Sequence, residues 1–142
     1  MKSEYLRAAN ERSAALQAAE EYLNLYPEDE KAIRQAGLAS AENKLFSKAI
    51  KYFSDNIEKH PSSAQNFTDR ANVYLQIKSW DAAEYDYSMS LDLWPRNGDV
   101  YYNKGLALMQ MGKVDQACHD FRMALRYGNN KASGMISRHC IK

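Results

Sequence analysis

Apolar and polar positions follow one another along the chain with the spacing of helices, and the pattern returns every 34 residues. Ala49, Phe53 and Ile57 stand at i, i+4 and i+8, which places them on one face of a helix. The residues that share the step of 34 are Ala15, Ala49, Ala83 and Ala117, then Leu23, Ile57, Leu91 and Leu125, then Phe53, Tyr87 and Phe121, then Ser13, Ser47, Asp81 and Asp115, and finally Pro27, Pro61 and Pro95. Separate series with one common period predict a protein built from copies of one unit.

Each period is predicted to hold two helices joined by a short turn. The predicted pairs cover residues 30–43 and 47–58, then 64–77 and 81–93, then 99–111 and 115–127. Connections this short favour antiparallel neighbours. Asp29, Ser63 and Asn97 are suited to cap the first helix of each pair, because their side-chain oxygens can accept backbone N–H groups. The expected fold class is therefore all-α, made of antiparallel helix pairs.

The segments on either side of the three pairs predict further helices. Residues 13–27 match the second helix of an earlier unit, and residues 1–12 cover only part of its first helix. This leaves open whether the chain starts with one long capping helix or was cut from a longer array. Ala132, Met135, Ile136 and Cys140 have roughly helical spacing and predict a C-terminal capping helix. We expect one domain over residues 1–142, with a partial repeat over 1–29, full repeats over 30–63, 64–97 and 98–131, and the capping helix over 132–142.

Composition narrows the possible partners and compartments. About 45% of residues are apolar and the net charge is +1, so the chain is unlike a disordered protein and has no overall attraction for nucleic acid. No apolar run approaches the roughly 20 residues that span a bilayer. We therefore expect neither nucleic acid nor a membrane span. Two cysteines are too few for a disulfide scaffold and slightly favour the cytoplasm, with the periplasm open if an upstream signal was removed.

No catalytic or metal-binding motif emerges from the sequence. The chain has no nucleophile elbow, no H-E-x-x-H and no phosphate loop, so we predict neither an enzyme nor a cofactor. Cys118-His119 and His139-Cys140 form a mirrored pair of zinc-type ligands. Adjacent helical residues point about 100° apart, so neither pair is suited to chelate one ion, and we predict no metal site. Cys118 stands two periods after Ile50, which predicts a small core residue.

The repeated residues resemble the tetratricopeptide repeat (TPR) family, whose unit is a helix–turn–helix of 34 residues. The third unit fits this pattern best, through Tyr101, Gly105, Ala117 and Phe121, with Gly112 in the turn. The likeness recurs in register over three units and implies a right-handed α-α superhelix. The segment Gln-Ala-Cys-His-Asp-Phe also resembles TPR proteins of Bacteroidetes-type bacteria, which makes a bacterial source the expectation.

The resemblance implies a function as well as a fold. TPR proteins use the concave surface of their first helices to bind an extended peptide or a helix of a partner. The matching positions chosen here as the peptide-binding groove are Arg34, Leu38, Asp69, Asn72, Leu75, Gln76, Tyr102, Asn103, Leu106 and Met109, and the wider set adds Gln65, Thr68 and Asp99. Asn72 and Asn103 are expected to hydrogen-bond a ligand backbone, since an amide both donates and accepts. An equally open interpretation is that both are simply solvated.

Two further expectations concern the partner. The chaperone-binding subclass grips a terminal carboxylate at five sites, which hold Arg34, Leu38, Asp69, Asp99 and Asn103 in this chain. Two aspartates would repel that group, so we predict no carboxylate clamp. The predicted function is a non-enzymatic protein-interaction module. The alternative is a self-associating scaffold or a fragment of a longer TPR protein, with a homo-oligomer formed through the open end of the repeat array.

Overall fold

A computed structural model describes residues 2–140, and this part of the chain is helical apart from its turns. The helices are α1 (Lys2–Leu25), α2 (Glu30–Glu42), α3 (Phe46–Lys59), α4 (Ala64–Gln76), α5 (Trp80–Leu93), α6 (Gly98–Gln110), α7 (Val114–Arg126) and α8 (Ala132–His139). The predicted all-α class is confirmed. The three predicted pairs correspond to α2–α3, α4–α5 and α6–α7, and α8 follows them where a further helix was expected. Residues 141 and 142 of the predicted capping segment lie outside the described part.

The caps of the first helices differ in chemistry although their positions agree with the sequence. Asp29, Ser63 and Asn97 all occupy N-cap positions. Only the Asn97 side chain among these three makes the cap bond, because its Oδ1 accepts from the backbone N–H groups of Asp99 and Val100 at 3.1 and 3.3 Å. Asp29 and Ser63 therefore occupy the predicted N-cap positions but do not make the side-chain hydrogen bond that was expected there.

Residues 1–61 form the first of two compact units. Within it α2 packs against both α1 and α3. Ile33 and Phe53 are buried at the centre of the α2–α3 pair. Gly37 is needed there because a Cβ atom at this position would overlap the Phe53 ring. The end of α2 is tied to α1 by Asn43, whose Nδ2 donates to the carbonyl of Arg12 at 2.8 Å.

Residues 62–142 form the second compact unit, in which α4 to α8 pack in chain order. One apolar cluster joins α4, α5 and α6 around the fully buried Tyr87. A second joins α6, α7 and α8 around the fully buried Phe121, and α8 contributes Ala132 to it. Contacts between α4 and α6 bring the first helices of two successive pairs side by side. The candidate site lies against these two helices. The predicted division of the chain into repeats stays a prediction.

The turn inside each pair has a left-handed residue at its centre. Lys44 has φ 59°, Lys78 has φ 66° and Gly112 has φ 75°. These three residues are spaced by the 34-residue period. Glycine adopts this conformation without steric cost, whereas lysine does not, so the turns after α2 and α4 are less favourable locally than the turn after α6.

Candidate ligand-binding cavity

A polar cavity of about 360 Å³ opens against α4, α6 and the linker between α7 and α8, all within the second unit. Its side chains are mostly amides and hydroxyls rather than apolar groups. The lining residues are Gln65, Thr68, Asn72, Asn97, Asp99, Val100, Asn103, Asn129 and Lys131. A wall of this kind is suited to hydrogen-bond a polar ligand rather than to bury an apolar one.

Asn72 and Asn103 lie next to each other in the cavity, one on α4 and one on α6. The Oδ1 of Asn72 accepts from the Tyr87 hydroxyl at 2.5 Å and from Nδ2 of Asn103 at 3.3 Å. Burial raises the pKa of Tyr87, so its hydroxyl remains a donor at neutral pH. The Asn72 oxygen is therefore satisfied by protein, and its Nδ2 has no hydrogen-bond acceptor among the described residues. The orientation of this amide is fixed before any ligand arrives.

Asn129 closes the other side of the cavity. It is 5% exposed, and its Nδ2 donates to Oδ1 of Asp99 at 2.9 Å. Its own Oδ1 accepts from the backbone N–H of Lys131 at 3.0 Å. The turn that delivers it contains Gly128 at φ 95°, a conformation that favours glycine. These bonds fix the linker between α7 and α8 against the start of α6.

Lys131 and Asp99 are the two charged residues among the described residues that line the cavity. The Nζ of Lys131 lies 5.2 Å from the centre of the Tyr102 ring, within cation–π range. The Tyr102 ring in turn packs at 5.8 Å from the ring of Phe121. One anion and one cation leave the cavity with no net charge.

The α4 side of the cavity is organised by hydrogen bonds within the helix and to α5. Gln65 donates from Nε2 to Oδ1 of Asp69 at 2.8 Å. Asp69 itself is only 4% exposed and does not line the cavity. The hydroxyls of Thr68 and Ser90 share a hydrogen bond of 2.7 Å. Thr68 and Gln65 therefore line the α4 side of the cavity together with Asn72.

The other residues predicted for the groove fall in different surroundings. Leu75 packs partly buried on the Tyr87 cluster, and Leu106 and Met109 do so on the Phe121 cluster. Gln76 is exposed near the end of α4. Arg34 and Leu38 belong to α2, in the first unit. Their assignment to a peptide groove stays a prediction.

Four lining residues were not chosen as site residues from the sequence: Asn97, Val100, Asn129 and Lys131. Asn97 had been assigned only as a helix cap, while Asn129 and Lys131 lie in the linker after the third pair. Asn129 occupies the place where the family pattern expects proline. That departure was the available signal, because an asparagine at a turn brings a donor and an acceptor that proline lacks.

The two cysteines form a disulfide between α7 and the end of α8. Cys118 and Cys140 are 22 residues apart in sequence, with their Cα atoms 5.7 Å apart. The interpretation of Cys118 as a small core residue is therefore incomplete: it is 4% exposed, but it is also covalently bonded. The paired sulfurs are not thiolates, so in this state neither Cys-His pair offers the sulfur ligand that zinc prefers. None of the described helices is long and apolar enough to cross a bilayer.

Comparison with solved structures shows the fold. The chain is similar to MamA from Desulfovibrio magneticus RS-1, with a TM-score of 0.78 and 18% identity over 96% of this chain and 84% of that one. It is similar to the TPR domain of Arabidopsis OM64, with a TM-score of 0.73 and 23% identity over 77% and 92%. It is also similar to the second TPR domain of human RPAP3 in complex with an HSP70 peptide, with a TM-score of 0.72 and 24% identity over 78% and 93%.

Curated relatives match over part of their length. Serine/threonine-protein phosphatase 5 from Rattus norvegicus is 28% identical over 100 residues, which is 70% of this chain and 20% of that protein. The TPR repeat-containing thioredoxin TDX from Arabidopsis thaliana is 22% identical over 109 residues, which is 77% of this chain and 29% of that protein. No family model matches the chain. The chain has the tetratricopeptide-repeat fold, and the resemblance stated from its sequence is confirmed at that level.

Proposed function

We propose that this protein is a non-enzymatic interaction module that binds an extended segment of a partner protein in the cavity of its second unit. The observation that carries the proposal is the Asn72–Asn103 pair, in which one amide is already oriented by Tyr87. Human RPAP3, a neighbour in fold, is described in complex with a peptide of HSP70, which supports this class of function.

The pair matches the chemistry of a peptide unit. The Nδ2 of Asn72 can donate to a ligand carbonyl, and the Oδ1 of Asn103 can accept from a ligand N–H. The Tyr87 hydroxyl holds Asn72 so that little side-chain freedom is lost on binding. Recognition of the main chain in this way depends on an extended ligand backbone rather than on one particular side chain.

The charges of the cavity favour an internal segment over a chain terminus. Asp99 is engaged by Asn129, and Lys131 lies over Tyr102, so the cavity has no cluster of cations to hold a terminal carboxylate. Asp69, at another of the clamp positions, is buried and paired with Gln65. We therefore propose a ligand whose affinity does not depend on a free C-terminus.

A peptide-library screen on the folded chain tests the proposal. Asn72→Asp replaces the donating NH₂ group with an anionic oxygen of the same shape, which would repel a ligand carbonyl. We expect it to weaken selected peptides about tenfold or more, the size of one lost hydrogen bond plus a repulsive contact. Tyr87→Phe removes only the hydroxyl that orients Asn72 and should weaken binding less. Asn130→Asp is the matched control, since it makes the same chemical change in the same unit at a residue that does not line the cavity.

Two results would contradict the proposal. One is a set of selected peptides that bind wild type and Asn72→Asp with equal affinity, since the ligand would then lie elsewhere. The other is tight binding of a peptide that ends in Glu-Glu-Val-Asp, if this binding is lost when the terminal carboxylate is amidated. That result would show that the protein binds the terminal carboxylate of its ligand. Circular dichroism of each variant confirms that the helices are retained.

A second candidate function rests on the surface of α1. Tyr5, Leu6, Tyr22 and Leu25 are exposed on this helix, as is Tyr26 directly after it, and the rings of Tyr22 and Tyr26 pack 4.9 Å apart. Exposed apolar groups of this size favour association, which supports a self-associating scaffold as the alternative. Light scattering over a range of concentrations tests it: a dimer that dissociates in Tyr22→Glu would favour this function, and a monomer throughout would remove it.

A further inference from the structure

We propose that the Cys118–Cys140 disulfide is a reversible redox site that controls whether α8 is held on α7, and with it one wall of the ligand cavity. Reduction by a dithiol would release the end of α8, and reoxidation would dock it again. The effect on ligand binding rests on the proposed function, but the opening of α8 does not depend on it.

Apart from the disulfide, α8 is held by few buried side chains. The helix has eight residues, and Ala132 is its one buried residue. Met135 and Ile136 add partly buried contacts to the Phe121 cluster. A helix this short is marginal on its own, so its order depends on what holds it to the rest of the unit. The disulfide anchors its C-terminal end to α7, opposite the anchor that Ala132 provides at its start.

The start of α8 is continuous with the cavity wall. Asn129 holds Asp99 through its side chain, and its backbone carbonyl accepts from the N–H of Ala132 at 3.3 Å. Lys131, which lies over the Tyr102 ring, immediately precedes the helix. Loosening α8 would therefore remove support from the two linker residues that close this side of the cavity.

The disulfide is accessible to a reagent from the surface. A second cavity of about 360 Å³ reaches it and is lined by Val114, Asp115, Cys118, Arg122 and His139. Cys140 is the more exposed of the two half-cystines. Arg122 and His139 place cationic or ionisable side chains beside Cys118, with Asp115 as the opposing charge. A cationic neighbour stabilises a departing thiolate.

The exchange balances with a dithiol as co-reactant. One thiolate of the dithiol attacks Sγ of Cys140, the protein S–S bond breaks, and Cys118 leaves as a thiolate. The second thiol of the reagent, as its thiolate, then attacks the mixed disulfide and releases Cys140. Two electrons pass from the dithiol to the protein, the dithiol becomes a cyclic disulfide, and the protein thiolates take up protons from solvent.

Hydrogen exchange on the full chain, oxidised and then reduced with dithiothreitol, measures the opening directly. We expect amides of residues 129–140 to exchange about tenfold faster after reduction, as expected for a locally opened segment, while α4 and α5 remain unchanged. Cys140→Ser should show the faster exchange in both conditions and should not respond to dithiothreitol. Ser137→Ala is the matched control at an exposed residue of the same helix and should behave like wild type. Thiol trapping across dithiothreitol redox buffers should show both cysteines switching together.

Equal exchange of residues 129–140 in both redox states would overturn the proposal, because α8 would then be held by its apolar contacts alone. A disulfide that is reduced only when the whole chain unfolds would overturn it too. Peptides selected on the oxidised protein should bind the reduced protein about tenfold more weakly, as expected when a preorganised wall is lost. A chain that binds no peptide in either state would contradict the proposed function and leave the exchange result standing.

Discussion

Arg70 on α4 holds Asp86 on α5 through two parallel hydrogen bonds, Nε to Oδ2 at 2.7 Å and an Nη atom to Oδ1 at 2.9 Å. The Asp86 side chain is 1% exposed. One period later, Lys104 and Asp120 occupy the same places, and the lysine reaches a single oxygen at 3.5 Å. An ion pair at equivalent positions therefore joins α4 to α5 and α6 to α7. Arg70 makes a bidentate contact with its carboxylate, whereas Lys104 contacts a single carboxylate oxygen.

Loss of Arg70 should be costly because it leaves a buried carboxylate without its partner. We expect Arg70→Met to lower the free energy of unfolding by about 3 kcal/mol. We expect Arg70→Lys to lower it by about 1 kcal/mol, since lysine keeps the charge but cannot make the two parallel hydrogen bonds. Urea denaturation followed by circular dichroism measures both. If Arg70→Met costs less than Arg70→Lys, the ion pair does not act as described.

Asp120 should make stability depend on pH in the opposite sense to a well-paired carboxylate. Burial raises the pKa of Asp120 above its ordinary value of 3.8, although Lys104 and His119 act against this shift. The folded state therefore favours the protonated acid, and the unfolding free energy falls as pH rises from below 3.8 through the raised pKa of the folded state.

Asp120→Asn tests that sign because the amide cannot ionise. The variant should gain stability relative to wild type as pH rises from 3 to 7, with the difference smallest at pH 3. Denaturant melts at both pH values measure it. A difference that shrinks toward pH 7 would mean that Lys104 lowers the carboxyl pKa more than burial raises it.

At the left-handed turn positions, removing a side chain and adding one should change the stability of the protein in opposite directions. Lys78→Gly removes a side chain from a residue with φ 66° and should stabilise the protein by about 1 kcal/mol. Gly112→Ala introduces one at φ 75° and should destabilise by a similar amount, about 1 kcal/mol. Space is not limiting, since a Cβ at Gly112 would contact nothing within 4 Å. Thermal melts of the two variants should therefore move in opposite directions; shifts of the same sign would contradict the backbone explanation.

Gly105 tests close packing rather than backbone conformation. A Cβ at this position would lie 2.6 Å from Cε1 of Phe121, well inside contact distance. Gly105→Ala should therefore destabilise by about 1–3 kcal/mol, the usual range for overpacking. Gly134→Ala is the control, since its Cβ would meet only the end of Arg138 at 3.7 Å. A Gly105→Ala protein as stable as the control would mean that α6 and α7 can separate freely.

The helices and their order could be predicted because every unit carries the same periodic signal. Phe53, Tyr87 and Phe121 stand one period apart, and all three are buried at the centre of their pairs. The Asn72–Asn103 contact also follows from the register, since both lie on first helices of neighbouring pairs.

The remainder of the site could not be predicted from the period, because the residue types of the third unit depart there from those of the earlier units. Asn129 and Lys131 stand one period after Pro95 and Asn97, a turn residue and a helix cap, so the repeated pattern assigned them no binding role. The disulfide was missed for a similar reason: Cys118 stands at a core position of the repeat, while Cys140 lies beyond the last one. The Arg70–Asp86 and Lys104–Asp120 pairs share the 34-residue step, although the sequence analysis did not pair them.

The central claim is that Asn72 and Asn103 bind the main chain of a ligand, and a double-mutant cycle between protein and peptide tests it most directly. Each backbone N–H of a selected peptide is replaced in turn by an ester oxygen, and each peptide is titrated calorimetrically against wild type and Asn103→Leu. At one peptide position we expect the two changes to be coupled by about 1 kcal/mol, because both remove the same hydrogen bond. Ester substitutions that are additive with Asn103→Leu at every position would contradict the account.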